Sequence, residues 1–203
     1  MFKNSKFTII IAFITIFYTN ISMALEEPSY SIVKSNENYE IRKYKDRLAV
    51  EVEFKSEDSG FQYLFNYISG ENTTSEKVNM TVPVTQSAKI DMTAPVTQSN
   101  KDGKMLMQFF LPSKFTIDTA PTPTNKRVKL VIIEGGYYAI KRYSGRTSDT
   151  NYKKHLEKLK ENLISDNLET LDDGIKAIFN GPFTLPIMRR NEVMMKINYN
   201  GSS

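Results

Sequence analysis

The sequence contains no cysteine and only one histidine, His155, among its 203 residues. Without thiols the chain has no disulfides, no iron–sulfur cluster and no thiolate nucleophile. One histidine excludes a metal site built from several imidazoles, and any serine-based triad would need His155 as its base. No Gly-x-Ser-x-Gly elbow occurs, and Asp172-Asp173-Gly174 has the composition of a turn. We therefore predict that the protein is not an enzyme.

Long apolar runs are absent except near the N-terminus. There two lysines precede an uncharged run at positions 7–18, and small residues at positions 22 and 24 fit a signal-peptidase site. The run is too short to span about 30 Å of hydrocarbon. We predict that residues 1–24 are a signal peptide cleaved after Ala24, that the protein is periplasmic or secreted, and that no membrane span remains after cleavage.

A strong charge of one sign is also missing. The chain has 27 Lys and Arg against 23 Asp and Glu, and two of the lysines lie in the predicted leader. Such a balance gives no basic surface for nucleic acid, so a nucleic-acid partner is not expected. Residues 25–203 are long enough to build a core without disulfides, and we predict that they form one domain.

Alternation of apolar and polar residues predicts an antiparallel sheet. Leu48, Val50, Val52 and Phe54, for example, recur at every second position with glutamates between them, which is typical of a half-buried strand. The predicted strands are Tyr30–Lys34, Tyr39–Tyr44, Leu48–Phe54, Met105–Leu111, Val128–Ile133 and Glu192–Ile197.

Two helices are indicated by apolar residues at helical spacing. Phe61–Ser69 carries Phe61, Leu64, Phe65 and Ile68 on one face. Ser59 is the predicted start and Gly70 the predicted end of this helix. Asn151–Ile164 is the second predicted helix, with Asp149 or Thr150 as its N-cap. Its stripe consists of Tyr152, Leu156, Leu159 and Leu163.

The sequence contains two internal repeats. Tyr39–Tyr44 and Tyr138–Tyr143 share the pattern Tyr-x-Ile-basic-basic-Tyr, and each lies upstream of a predicted helix. This predicts two equivalent halves in which the hexapeptides superpose. A second repeat relates Val78–Ser87 to Ile90–Ser99, and the proline at its sixth position favours an edge or a shaped loop over a central strand.

The ordered motifs resemble those of the SOUL haem-binding protein family. Lys89–Thr97, with the sequence KIDMTAPVT, resembles the family signature, and Lys77–Thr85 echoes it. Other similar segments follow in the family's order, so the resemblance extends from about Tyr30 to Ile197. These segments are Phe109–Ser113, Arg142–Gly145, Pro182–Pro186 and Arg189–Val193.

The resemblance implies an α+β fold, a distorted antiparallel β-barrel of two pseudo-symmetric halves that each carry one helix. It also implies non-covalent binding of haem, or a related tetrapyrrole, in an apolar cleft. Fold alone does not fix function, so two alternatives remain open. One is a small-molecule effector-binding domain of the same architecture, and the other is a protein-interaction domain. A Soret band on addition of hemin distinguishes the haem-binding reading from both.

Candidate ligand contacts follow from the shape of haem, a broad apolar plane with two carboxylates. Phe61, Leu64, Phe65 and Ile68 are the predicted wall, unless this stripe is only the helix's contact with the core. In that case Tyr63 and Tyr67, on the other flank, could meet the ligand. Arg42 and Arg142 are the predicted carboxylate partners, unless they are solvated strand residues.

His155 is the candidate axial ligand, because neutral imidazole commonly ligates haem iron. It lies about 60° from the centre of its helix's apolar stripe and is flanked by three lysines. Since a surface position is the simpler interpretation, we predict that binding depends on apolar contact and rim cations more than on His155.

Overall fold

A computed structural model of the protein describes residues 25–73 and 87–201. The predicted signal peptide and nearly all of the first copy of the doubled motif therefore lie outside the described residues. The strands are β1 (Tyr30–Ser35), β2 (Glu40–Tyr44), β3 (Arg47–Glu53), β4 (Asn72–Thr73), β5 (Val96–Lys101), β6 (Lys104–Phe110), β7 (Thr122–Pro123), β8 (Val128–Ile133), β9 (Gly136–Tyr143), β10 (Glu169–Thr170), β11 (Ile175–Ile178) and β12 (Asn191–Asn198). The helices are α1 (Glu57–Ser69), α2 (Asp149–Ser165) and a short 3-10 turn, Pro186–Met188.

Ten of these strands form one antiparallel sheet that curls into a half-barrel. The strand order is β1-β2-β9-β12-β11-β5-β6-β3-β8, with β10 also paired to β12. Outward from the central pair β11 and β5, the strands are β12, β9, β2 on one side and β6, β3, β8 on the other. Each side has one helix, which follows β3 or β9 in the chain. The predicted α+β fold with two pseudo-symmetric halves is confirmed.

The predicted superposition of the hexapeptides is wrong. Strand β2 is the counterpart of β8, whereas β9 is the counterpart of β3. The two hexapeptides are instead antiparallel neighbours, with Arg42 opposite Tyr138. Tyr39, Ile41 and Tyr143 all pack under α2, and Tyr44 and Tyr138 meet on the other face of the sheet. Neighbouring strands share the same two environments, which explains the similarity of their sequences without duplication.

The helices pack on the sheet through their apolar stripes. Helix α1 buries Leu64, Tyr67 and Ile68 over β3 and β6, and α2 buries Leu156, Leu159 and Leu163 over β9 and β12. Among the described residues, no helix is long and apolar enough to cross a membrane.

Both helices begin earlier than predicted. Ser56, rather than Ser59, precedes α1, because Glu57 and Asp58 extend its first turn, where carboxylates interact favourably with the helix dipole. Ser148 caps α2 by accepting a hydrogen bond from the Asn151 amide, in place of Asp149 or Thr150. Gly70 ends α1 as predicted, at a φ of +124° that disfavours other residues.

Candidate functional site

A cleft of about 730 Å³ opens beside the first half of α1. Its walls come from the end of β3, the β5–β6 hairpin, the start of α1 and the first residues of β8. Four segments that are distant in sequence thus converge on one opening. The lining residues are Glu51, Glu53, Phe54, Lys55, Ser59, Tyr63, Lys101, Asp102, Lys104, Leu106, Arg127 and Lys129.

The apolar part of the cleft is formed by Phe54, Tyr63 and Leu106. Phe54 follows the last residue of β3, and its amide donates a hydrogen bond to the Met105 carbonyl at 2.9 Å. This bond holds the aromatic ring at the junction between sheet and helix, where it is largely buried. Tyr63 lies one turn after Ser59 on the same flank of α1. Phe54 thus forms a fixed apolar wall of the cleft, and the half-buried Tyr63 ring lies beside it.

The rim of the cleft is predominantly cationic, with five Lys or Arg side chains against three carboxylates. Among the described residues, the one ion pair that joins two lining residues is Lys104–Glu53, at 3.1 Å. The Glu51 carboxylate accepts a hydrogen bond from the Gln108 amide at 2.7 Å. The remaining balance favours an anionic ligand.

Arg127 and Tyr63 form the most specific polar contact in the cleft. The Arg127 Nη1 donates a hydrogen bond to the Tyr63 hydroxyl oxygen at 2.9 Å. The guanidinium carbon also lies 5.3 Å from the centroid of the tyrosine ring. This charge-assisted hydrogen bond fixes the orientation of the tyrosine ring.

The structure divides the predicted apolar wall. Leu64 and Ile68 belong to the core under α1, which agrees with the alternative that this stripe is the helix's contact with the core. Phe61 and Phe65 are exposed and stack on each other at 5.9 Å. Phe61 and Tyr63 are two positions apart, about 200° around the helix axis, so the phenylalanines lie on the flank away from the cleft. Tyr67 is buried and donates to the Pro121 carbonyl.

The two predicted carboxylate partners lie outside the cleft. Arg42 is buried and makes ion pairs with Glu192 at 2.9 Å and Glu40 at 2.7 Å. Burial alone would lower the pKa of Arg42, but the Glu192 and Glu40 carboxylates raise it, so its charge is already compensated. Arg142 is exposed on β9, opposite Glu192 in the sheet register. Neither arginine approaches the apolar wall.

His155 is half-buried on α2 and stacks on the Tyr143 ring at 4.3 Å. Its Nδ1 atom is buried without a hydrogen-bond partner. Burial, followed by the charges of Lys141, Lys154 and Lys158, lowers the pKa of His155. The imidazole is therefore neutral near pH 7, but it does not line the cleft. Among the described residues, no three His, Asp or Glu side chains cluster as a metal site would require.

None of the five cations of the cleft was predicted from the sequence, and no spacing signal could have found them. Lys55, Lys101, Lys104, Arg127 and Lys129 come from separate loops and strands. These residues converge because β8, although distant in sequence, pairs with β3 in the sheet. Only Tyr63 was anticipated, from its position on the second flank of α1.

Comparisons with known proteins identify a family and a fold. The family model described as "SOUL heme-binding protein" matches residues 25–196. A crystal structure of a hydrolase from Listeria innocua superposes with a TM-score of 0.53 at 12% identity, covering 81% of this chain and 94% of the other. A conserved protein from Listeria innocua superposes with a TM-score of 0.53 at 12% identity, covering 80% of this chain and 93% of the other.

The C-terminal domain of EcmrR is also similar, with a TM-score of 0.51 at 8% identity, covering 83% of this chain and 98% of that domain. At these identities the likeness concerns the fold alone. Comparison with curated proteins found no significant match.

Proposed function

Since the chain belongs to the SOUL heme-binding protein family, whose model spans residues 25–196, we propose that it binds haem or a related tetrapyrrole non-covalently in the cleft beside α1. The observation that carries the proposal is the combination of an apolar wall and a cationic rim around 730 Å³. This volume lies within the range of about 300–1,000 Å³ that small-molecule sites occupy.

The polarity of the cleft suits the two ends of a tetrapyrrole. Phe54 and Leu106 face the apolar plane, and burial of that plane contributes about 25 cal/mol for each Å² removed from water. Lys129 and Arg127 at the rim are placed to pair with carboxylates, which would otherwise lose hydration without compensation. The lining contains neither histidine nor cysteine, so it holds no nucleophile activated by an imidazole. We therefore propose binding as the function of this cleft.

Tyr63 is the residue of the cleft best suited to hold iron. Tyrosine is an established haem ligand, and when haem is bound its iron supplies a Lewis acid that a phenolate can ligate. The hydrogen bond from Arg127 fixes the position of this hydroxyl group. Arg127 would thus act twice, by orienting Tyr63 and by adding positive charge to the rim. The predicted signal peptide would place this binding in the periplasm or outside the cell.

Charge reversal at the rim tests the proposal. The variant Arg127→Glu/Lys129→Glu should bind hemin at least about tenfold more weakly, because two favourable contacts with carboxylates become repulsive. Arg146→Glu is the matched control, since Arg146 is exposed in the loop before α2, the counterpart of the segment before α1. Absorbance titration measures both affinities. Equal affinity for the rim variant and the control would contradict binding in this cleft.

A further inference from the structure

The loop between β11 and β12 displays four large apolar side chains to solvent. Phe183 is 99% exposed, Ile187 83%, Met188 69% and Leu185 63%. Single exposed apolar residues are common, but four within six positions form a patch that requires an explanation. The haem-binding proposal does not use this loop, because none of its residues lines the cleft.

Hydrogen bonds within the loop and from the neighbouring Gly145 hold the loop backbone in place. Arg189 donates to the carbonyls of Pro182 at 2.6 Å and Thr184 at 2.8 Å. The Met188 amide donates to the Leu185 carbonyl, and the Gly145 amide donates to the Pro186 carbonyl at 2.8 Å. The apolar side chains therefore project from a stabilised turn and do not fold back onto the sheet.

The base of the loop carries positive charge. No acidic residue occurs from Phe179 to Arg190. Arg142 and Arg146 are exposed nearby: Arg142 faces Glu192 across the β9–β12 register, and Arg146 follows Gly145, which contacts the loop. Glu192 is fully buried and paired with Arg42 and Arg190, and Glu27 is also paired with Arg190, so the charges of Arg142 and Arg146 remain at the base of the loop.

We propose that the Phe179–Arg190 loop docks the protein on a lipid surface that contains anionic headgroups. A bilayer interface accepts apolar side chains that protrude from a convex tip, and arginines at the base then lie at the level of the headgroups. A protein partner would instead require a groove that matches a side chain as prominent as Phe183. The charge at the base of the loop and the convex apolar tip together favour the membrane.

A single tryptophan reports on this docking, because the chain contains none of its own. Phe183→Trp should show a blue-shifted emission with vesicles of phosphatidylglycerol and phosphatidylcholine in equal amounts. Leu171→Trp is the control, because Leu171 is exposed and lies toward the opposite end of β12, where its amide donates a hydrogen bond to the Lys196 carbonyl. Its emission should not shift. Both variants keep an exposed aromatic or apolar site, so neither should affect folding.

Cosedimentation with the same vesicles gives the second measurement. Phe183→Ser/Ile187→Ser should lower the partition coefficient by about tenfold or more, and Arg146→Glu should lower it for anionic vesicles but not for pure phosphatidylcholine. Absence of a shift for Phe183→Trp, or equal sedimentation of the serine variant, would overturn the proposal. So would a dimer that the serine variant abolishes while vesicle binding is absent, because the loop would then be an interface between copies.

Discussion

At the residue scale, Tyr63 and His155 are two side chains of types that ligate haem iron, and the structure places them in different surroundings. Tyr63 lines the cleft and accepts a hydrogen bond from Arg127. His155 is neutral, yet it stacks on Tyr143 away from the cleft. Helical spacing could not predict that Tyr63 rather than His155 lines the cleft, because it places each residue only relative to the apolar stripe of its own helix.

Substitution of these two residues separates the claims. Tyr63→Phe should change the absorption spectrum of the ferric complex and weaken hemin binding, since the oxygen that would ligate iron is lost. His155→Ala should keep the wild-type spectrum and an affinity within about tenfold, or about 1.4 kcal/mol. Circular dichroism checks that both variants fold. A spectrum that is unchanged in Tyr63→Phe but lost in His155→Ala would assign the iron to His155.

His155 should also make stability depend on pH. Burial first, and then Lys141, Lys154 and Lys158, lower its pKa in the folded protein below the ordinary value of 6.5. The unfolded chain therefore binds more protons just below pH 6.5, and the free energy of unfolding falls as the pH drops through that value. His155→Gln should reduce this fall in urea titrations between about pH 7.5 and 5. An identical pH dependence in the variant would show that His155 does not titrate in this way.

At the element scale, the sequence predicted the regular elements well where one face is buried and the other exposed. Val128–Ile133 has the bounds of β8, and five other predicted strands are recovered with small shifts at their ends. Two of the missed strands, β5 and β11, lie at the centre of the sheet, where Thr97, Gln98 and Lys176 are buried. Buried polar residues hide the apolar alternation on which strand prediction depends.

The two flanks of α1 provide a test of the site at this scale. Leu106→Glu should lower hemin affinity by at least about tenfold, because it places a carboxylate at the apolar wall next to the ligand's own carboxylates. Phe65→Glu, on the exposed opposite flank, should leave the affinity nearly unchanged. If Phe65→Glu abolishes binding and Leu106→Glu does not, the ligand lies against Phe61 and Phe65, where the spacing of the stripe first suggested it.

At the scale of the whole molecule, the two halves are joined by ion pairs between one buried lysine and two exposed carboxylates. The ammonium of Lys176, on the central strand β11, contacts the carboxylates of Glu57 at 3.0 Å and Asp149 at 3.1 Å. These acids lie in the first turns of α1 and α2, so one buried cation links both helices. The hexapeptide repeat suggested two halves for an incorrect reason, because it is the strand order and not the repeat that carries the symmetry.

These ion pairs predict an unequal response to two neutralising changes. Lys176→Met should alter the free energy of unfolding by less than about 1 kcal/mol, because an apolar side chain of similar length replaces a buried charge. Glu57→Gln/Asp149→Asn should lower it by about 2 kcal/mol, because the buried ammonium loses both partners. Urea denaturation measures both values. Greater damage from Lys176→Met would mean that the ion pairs themselves stabilise the joint.

The central claim, that the domain binds a tetrapyrrole, is tested most directly by titrating residues 25–203 with hemin and following absorbance. We predict a Soret band that shifts on binding and saturates at one hemin per chain. The band should weaken in the rim variant Arg127→Glu/Lys129→Glu but not in Arg146→Glu. A titration without a shifted Soret band, or one that never saturates, would contradict the claim and favour a different small molecule as the ligand of this fold.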